Sequence, residues 1–451
     1  MVSARKRIWG WYFFDWASQP YNTLVLTFIF GPYFAEVARA HFVAQGLTPE
    51  AAAASAQSTW GWGLTASGIL IALLAPLLGA VADQSGRRMV WVWLFSAFYV
   101  VGSLGLWWLV PDQPPLMMIV ALFGIGLIGM EFTTIFTNAL LPDLAPTEDI
   151  GHISGSGFAF GYAGGVVSLA IMLALFAESG ATGKTLIGLP PMLGLDPAAR
   201  EGTRFVGPFS AIWYGVFMIP FFLWVHEPRT ARAPVSLRRA WGELMALLKS
   251  LPGRRSLSAY LGSSMLFRDA LNALYAFGGV YASGVLGWSV IQIGIFGVIS
   301  AVAAAVVSWI GGRADRRFGP KPVLVATILA LIAVCIIIVG MTPTAIFGLP
   351  ITPATANAIF YACGVVIGGA GGSLQSASRT MMVRHTTPAR ATEAFGLYAL
   401  SGKATAFLAP ALIAAVTAIT SSQRIGISPL VGLFILSLIL LVWVKPEGDR
   451  A

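Results

Sequence analysis

Six charged side chains stand inside long apolar runs, away from the last few residues at either end: the acids Asp15, Glu131 and Asp269, and the bases Arg268, Arg379 and Lys403. An ion in hydrocarbon costs about 2.5–3.5 kcal/mol on insertion scales, so such residues face a partner, a cavity or water rather than lipid. Three acids against three bases form a set able to compensate itself through ion pairs. The chemistry open to it is proton exchange and the capture of charged solutes. Burial favours a neutral carboxyl and an approaching cation the ionised form, which makes Glu131 the leading candidate for a coupling proton site opposite Lys403 or Arg268. Lys403 and Arg268 suit a carboxylate or phosphate of a substrate; Asp15 and Asp269 suit an amino group or a basic partner. The competing expectation is a fixed lattice of salt bridges that does not titrate. His152 and His385 fall near the ends of apolar runs and read as surface histidines.

These charges belong to polar stripes at helical spacing. Glu131, Thr134 and Asn138 follow i, i+3, i+7, and so do Asp15, Ser18 and Asn22. Asp269 and Asn272 stand three apart, and Gln375, Ser378 and Arg379 follow i, i+3, i+4. Such stripes occupy one helix face and point into a bundle or a water-filled path. At ~1.5 Å per residue, Asp15 lies ~12 Å beyond Arg7, Glu131 ~18 Å before Asp143, and Arg268 and Lys403 ~20 Å beyond Arg255 and Arg390. Arg379 lies only ~8 Å from Arg384, close enough to snorkel to the interface. No nucleophile–base pair accompanies them. Gly124-x-Gly126-x-x-Gly129 matches a dinucleotide fingerprint but sits inside an apolar run, where its glycines allow close helix approach. Met381-Met382-x-x-His385 reads as core packing and a helix end, not as metal ligands. The expectation is no enzyme, no metal and no cofactor.

The elements that must hold these residues are transmembrane helices. Of 451 residues, 57% are hydrophobic and 10% charged, against about 25% charged in soluble proteins. Twelve apolar runs long enough to span a bilayer cover 9–38, 60–82, 90–110, 116–141, 151–176, 208–225, 257–285, 289–312, 322–341, 355–383, 392–419 and 428–445. The charged Ala4–Arg7 leads into a long first span rather than a short cleavable one, so that span is expected to be retained. Of the 28 Lys and Arg, three lie within spans and five on the outer side (Arg39, Lys184, Arg200, Arg204, Arg424). The other twenty lie on the side of the N-terminus, among them Arg229, Arg232 and Arg450. That bias predicts a multi-pass integral protein with both termini cytoplasmic; the expected location is a bacterial inner (cytoplasmic) membrane. The basic residues sit in short clusters between spans, with no long basic face for nucleic acid. Cys335 and Cys363, both in spans, read as free core thiols.

The long loop at 226–256 divides the chain into six-helix halves, 1–225 and 257–451. Within it Leu237, Trp241, Leu244 and Leu248 recur at helical spacing against Arg238, Arg239, Glu243 and Lys249, which predicts an amphipathic helix resting on the membrane surface. The outer loop at 177–207 is rich in Gly and Pro and offers no evident chemistry.

The halves repeat. Gly79-Ala-Val-Ala-Asp83-Gln-Ser-Gly86-Arg87-Arg88 follows the second span, and Gly311-Gly-Arg-Ala-Asp315-Arg316-Arg317-Phe-Gly319-Pro-Lys321 follows the eighth. Both read G-x-x-x-D with a basic cluster. This pattern resembles the signature loop of the major facilitator superfamily; Gln84 departs from it where a basic residue is usual. The resemblance implies an all-α polytopic membrane protein with twelve helices in two pseudo-symmetric six-helix bundles, the first, fourth, seventh and tenth lining a central cavity. It also implies that Gly79, Asp83, Arg87, Asp315 and Arg316 form a cytoplasmic gate, with Asp83 at a neighbouring helix N-terminus and Arg87 opposite acidic groups. The plainer alternative for the second copy is a topology loop with a glycine turn. Phe14–Ala35, Phe267–Trp288 and Gly368–Pro410 further resemble the vacuole-effluxer-like branch, whose fungal members are associated with release of amino acids from the vacuole. Asp15 and Asp269 would be equivalent positions of the two halves.

The resemblance thus implies a secondary transporter working by alternating access around a midplane site. Its cargo would be a small polar or zwitterionic metabolite such as an amino acid, moved with protons and by export. The candidate substrate and coupling residues are Asp15, Asn22, Glu131, Asn138, Arg268, Asp269, Asn272, Gln375, Arg379 and Lys403. Two alternatives stand beside it: a lipid or amphipathic-drug exporter, and a non-transporting sensor or partner protein on the same fold.

Overall fold

The computed structural model describes residues 2–227, 237–288, 290–420 and 422–448. Arg229, Arg232 and Arg450 of the charge asymmetry lie outside the described residues. The N-terminal half holds α1 (Ala4–Pro20), α2 (Phe30–Ala44), α3 (Pro49–Ser85), α4 (Arg88–Gly105), α5 (Leu116–Asn138), α6 (Thr147–Ile171), α7 (Glu201–Arg204), α8 (Val206–Phe217) and α9 (Ile219–Trp224). After α10 (Leu237–Ser250) come α11 (Arg255–Gly284), α12 (Val290–Phe318), α13 (Pro320–Gly340), α14 (Pro353–Arg384), α15 (Ala391–Ala404), α16 (Leu408–Thr420), α17 (Gln423–Gly426) and α18 (Pro429–Leu441). The one sheet among the described residues is a hairpin pairing Ala345–Ile346 with Leu349–Pro350.

Eleven helical stretches among the described residues are long and apolar enough to cross a membrane. The expected seventh span forms the 30-residue α11 but is not among the eleven; it carries Arg268, Asp269, Asn272 and many Ser and Gly. α10 supplies the helix expected in the 226–256 loop, with Trp241 exposed and Met245 packed on Leu397. The side chains of Leu237, Arg239, Glu243, Leu244 and Leu248 lie outside the described residues.

Two expected spans are interrupted for reasons written in prolines. Pro20 has no N–H to give the carbonyl of Trp16, and the chain leaves α1 through a π-helical stretch, Tyr21–Phe28, before α2. The stranded carbonyl is claimed by the indole of Trp213, whose Nε1 donates at 3.1 Å. Trp213→Phe removes that donor and leaves a partly buried carbonyl unpaired; we expect a loss of about 1 kcal/mol in unfolding free energy, checked by thermal denaturation in detergent. The run 392–419 is likewise two helices, α15 and α16, joined by a turn at 405–407. Pro410 explains the break, since its ring would clash with the carbonyl of Ala406 in a continuous helix.

The chain forms two compact units. The first comprises Met1–Leu74, Gly86–Thr137 and Phe160–Thr230; the second comprises Ala75–Ser85, Asn138–Ala159 and Ala231–Ala451. In the first, Tyr21 donates to the Phe123 carbonyl at 2.6 Å, and α4 and α5 touch backbone to backbone at Gly102 and Gly126, with no room for a side chain at either. The GxGxxG run is thus a helix-packing device. In the second, α12 and α14 approach closely, Ser373 Oγ donating to the Val307 carbonyl at 2.6 Å. Both copies of the repeated loop end on a glycine in the positive-φ region, Gly86 at +60° and Gly319 at +83°, where an L side chain is strained. That need explains why each copy carries a glycine just before its next helix.

Candidate functional site

The second unit gathers the repeated loops. Asp83, near the end of α3, accepts the first-turn amides of α15: Thr392 N at 3.3 Å and Glu393 N at 2.9 Å. These amides have no partner within the helix, and the dipole there favours an anion. Gly79, one turn earlier, lets α3 approach; a Cβ there would fall 2.6 Å from the Thr392 carbonyl oxygen. The second copy meets α6. Asp315 is buried against Gly151, where an added Cβ would collide with its carboxylate, and Arg316 Nε pairs with Asp149, in the first turn of α6, at 2.8 Å. Each copy therefore places its aspartate against the first turns of a helix of the other half. Arg87 lies in the first unit, exposed in the turn before α4.

Arg379 does not snorkel. It is 3% exposed and bound on every side. Nε donates to Ser154 Oγ at 2.9 Å, Nη2 to the Ser154 carbonyl at 2.8 Å and Nη1 to Asn138 Oδ1 at 3.1 Å, while the guanidinium stacks on Phe158 at 4.3 Å. Its planar fork matches three acceptors that a flexible side chain seeking solvent would forgo. Gln375, one turn before, is half-buried on the same helix.

A second constellation lies around α11. Arg268, half-buried, donates from Nη1 to the Tyr398 carbonyl at 2.7 Å and lies over the Tyr398 ring, its Cζ 4.2 Å from the centroid. It rests on Gly402, where any side chain would collide with the guanidinium. Lys403, half-buried, follows in the last turn of α15. Asp269 points elsewhere: it is 2% exposed, and its Oδ2 accepts the amide of Ala409 at 2.9 Å, capping α16. The expected Asp269–Asn272 stripe is thus corrected. Asn272 is exposed and shares its face with Arg268 and Tyr275, at i−4 and i+3, while Asp269 is turned into the packing.

In the first unit Asp15 and Asn22 are half-buried, Asp15 beside Gly161 of α6 and Asn22 in the π-helical stretch. Glu131 and Thr134 are half-buried on α5, between the buried Phe132, Thr133 and Ile135. Their stripe divides: Asn138, its last member, belongs to the second unit with Arg379.

The sequence pattern of vacuole effluxer Atg22-like proteins matches residues 3–450. The chain belongs to that family. An MFS-type transporter of Bacillus subtilis (strain 168), YxiO, is 26% identical to this Atg22-like chain over 449 residues, covering 97% of the chain and 94% of that protein. Autophagy-related protein 22 of Cryptococcus neoformans var. neoformans serotype D (strain B-3501A) is 22% identical over 308 residues, 66% of this chain and 53% of its own length. Among solved structures, the human organic anion transporter MFSD10 (TETRAN) matches with a TM-score of 0.69 at 17% identity, over 98% of this chain and 100% of that one. The proton:xylose symporter XylE matches with a TM-score of 0.67 at 12% identity, over 99% and 97%. The fold is that of the major facilitator superfamily, and family and fold are those of membrane transporters, not enzymes.

Three features of this Atg22-like transporter escaped the sequence reading. His385 is buried rather than on the surface, its Nδ1 facing the Met381 carbonyl at 2.9 Å and its Nε2 facing Ser256 Oγ at 2.8 Å. Tyr398, the seat of Arg268, carries no charge to draw attention. The 177–207 loop is built around an ion cluster: Glu178, buried, pairs with Arg200 at 3.0 Å and accepts Thr203 Oγ1 at 2.6 Å, while Arg200 reaches Glu36 at 3.2 Å. A glutamate straight after a span was the available signal.

Proposed function

We propose that this Atg22-like protein is a secondary transporter that moves a small polar or zwitterionic metabolite, such as an amino acid, by alternating access with proton coupling and in the direction of export. The observation that carries the reading is the Arg268 seat. Among the described residues the guanidinium meets a ring and one carbonyl but no carboxylate. A half-buried cation left with spare donors is suited to a bidentate anion such as a substrate carboxylate. Lys403 adds a second cation, and Asn272 a neutral partner on the face of α11 that carries Arg268. A fixed lattice of salt bridges requires instead that Arg268 and Asp269 be paired with opposite charges, and among the described residues neither is. The relatives agree in kind, MFSD10 being an organic anion transporter and XylE a proton symporter.

In this reading the halves 1–225 and 257–451 move about the 226–256 linker, with both termini cytoplasmic in a bacterial inner membrane. Gly79, Asp83, Arg87, Asp315 and Arg316 form the cytoplasmic gate, and Arg379 with Asn138 is its latch. Asp15, Asn22 and Gln375 are further candidate substrate residues, and Glu131 is the proton carrier. Counterflow in proteoliposomes with labelled amino acids at two pH values tests the whole. Exchange of another solute class but of no amino acid would sink the substrate assignment. For Glu131→Gln we expect counterflow to persist while pH-gradient-driven accumulation falls at least tenfold; unchanged accumulation would remove Glu131 from the coupling role.

A further inference from the structure

An apolar groove of about 600 Å³ opens between the turn after α10, the first half of α11 and α15, lined chiefly by Leu251, Pro252, Leu261, Met265, Leu400 and Ala404. We propose that it holds one acyl chain of an anionic phospholipid whose headgroup is bound by Lys249 and Arg255. The size falls within the roughly 300–1,000 Å³ of small-molecule sites. In a bilayer an apolar groove gains little from an acyl chain by hydrophobicity alone, because lipid tails are as apolar as the lining. Shape admits the chain; charge must select the lipid.

Exposed residues flanking the lining turn in sequence supply that charge. Lys249 and Arg255, both exposed, stand two residues before Leu251 and three after Pro252, and no acidic residue occurs from Lys249 to Met265. That turn is also a built structure. Ser258 Oγ donates to the Leu251 carbonyl, and Arg254 is held by the His385 carbonyl at 3.1 Å, which fixes the turn over α11. α10 is seated alongside through Met245 on Leu397, and its exposed Trp241 is the kind of side chain that settles at a membrane interface.

The test uses the purified full-length chain, delipidated in detergent and titrated by native mass spectrometry with phosphatidylglycerol or phosphatidylcholine of the same acyl chains. We expect one phosphatidylglycerol to saturate well before any phosphatidylcholine binds. Lys249→Gln with Arg255→Gln should weaken the phosphatidylglycerol step about 25-fold, about fivefold for each charge lost. Ala404→Phe, which fills the groove but keeps the charges, should abolish the saturable step. Equal binding of the two lipids, unsaturable binding of many lipids, or an unchanged step in the charge variant would each overturn the proposal. Should Ala404→Phe misfold, the two exposed basic positions still decide.

Discussion

With Arg379 as a latch of the proposed gate, we expect its replacement by alanine to open the end of the second unit that carries Asp83 and Asp315. The guanidinium of α14 donates twice to Ser154 of α6 and once to Asn138 at the end of α5, at 2.8–3.1 Å and shielded from water. Truncating one partner of a buried hydrogen-bonded charge costs about 2–5 kcal/mol, and part of that is the price of leaving its acceptors unpaired. A shift of about 3 kcal/mol raises the open-to-closed ratio roughly a hundredfold. The reporter is a cysteine at Ser376, 1% exposed and hydrogen-bonded to Ser154, in a background without the buried Cys335 and Cys363. Its labelling by a polar thiol reagent should rise about a hundredfold in Arg379→Ala. Arg379→Lys keeps the charge but not the fork, so it should recover only part of the protection. Asn138→Ala, which removes a single acceptor, should raise labelling by about tenfold. Protection equal to wild type in Arg379→Ala would mean that Asp83 and Arg316 close this end without it.

The contacts at this end differ in how far the chain announced them. Asp83 and Asp315 were legible because their loop occurs twice, and a repeated G-x-x-x-D constrains both the backbone turn and the anion position. The location of Arg379 was legible but its burial was not: depth along a helix is read from sequence spacing, whereas enclosure depends on Ser154 and Asn138, more than 220 positions away. The same limit governs Asp269. Counting by threes joins it to Asn272, yet a helix presents residue 268 with 272, and the decisive partner is the amide of Ala409 at a break forced by Pro410. The cluster of the 177–207 loop went unread for another reason. Glu178, Arg200 and Glu36 have no common spacing, so no periodic reading gathers them.

Arg268→Gln should abolish transport of a carboxylate-bearing substrate while leaving the protein folded. The side chain is held from below by the Tyr398 ring at 4.2 Å and on one edge by the Tyr398 carbonyl at 2.7 Å, so its plane is set before a substrate arrives. Preorganisation of this kind removes the rotamer cost that an arginine otherwise pays on binding. Loss of a charge-assisted bidentate contact, with the substrate anion then left in a poorly solvated cavity, costs about 2–5 kcal/mol, or 30- to 5,000-fold in kcat/KM. Counterflow with a substrate and its carboxamide analogue separates the contribution of charge from that of shape: wild type should prefer the carboxylate strongly, and Arg268→Gln should not discriminate. Tyr398→Leu keeps the arginine and its carbonyl partner but removes the ring. A cation–π contact of about 0.5–2 kcal/mol predicts a loss of between twofold and thirtyfold, expressed in KM more than in the maximal rate. Gly402→Ala forces the guanidinium off its seat and should approach Arg268→Gln in effect, because the clash is with the charged head and not with a flexible stem. If Arg268→Gln still favours the carboxylate over the carboxamide, the anion is bound elsewhere, and Lys403 becomes the first residue to replace.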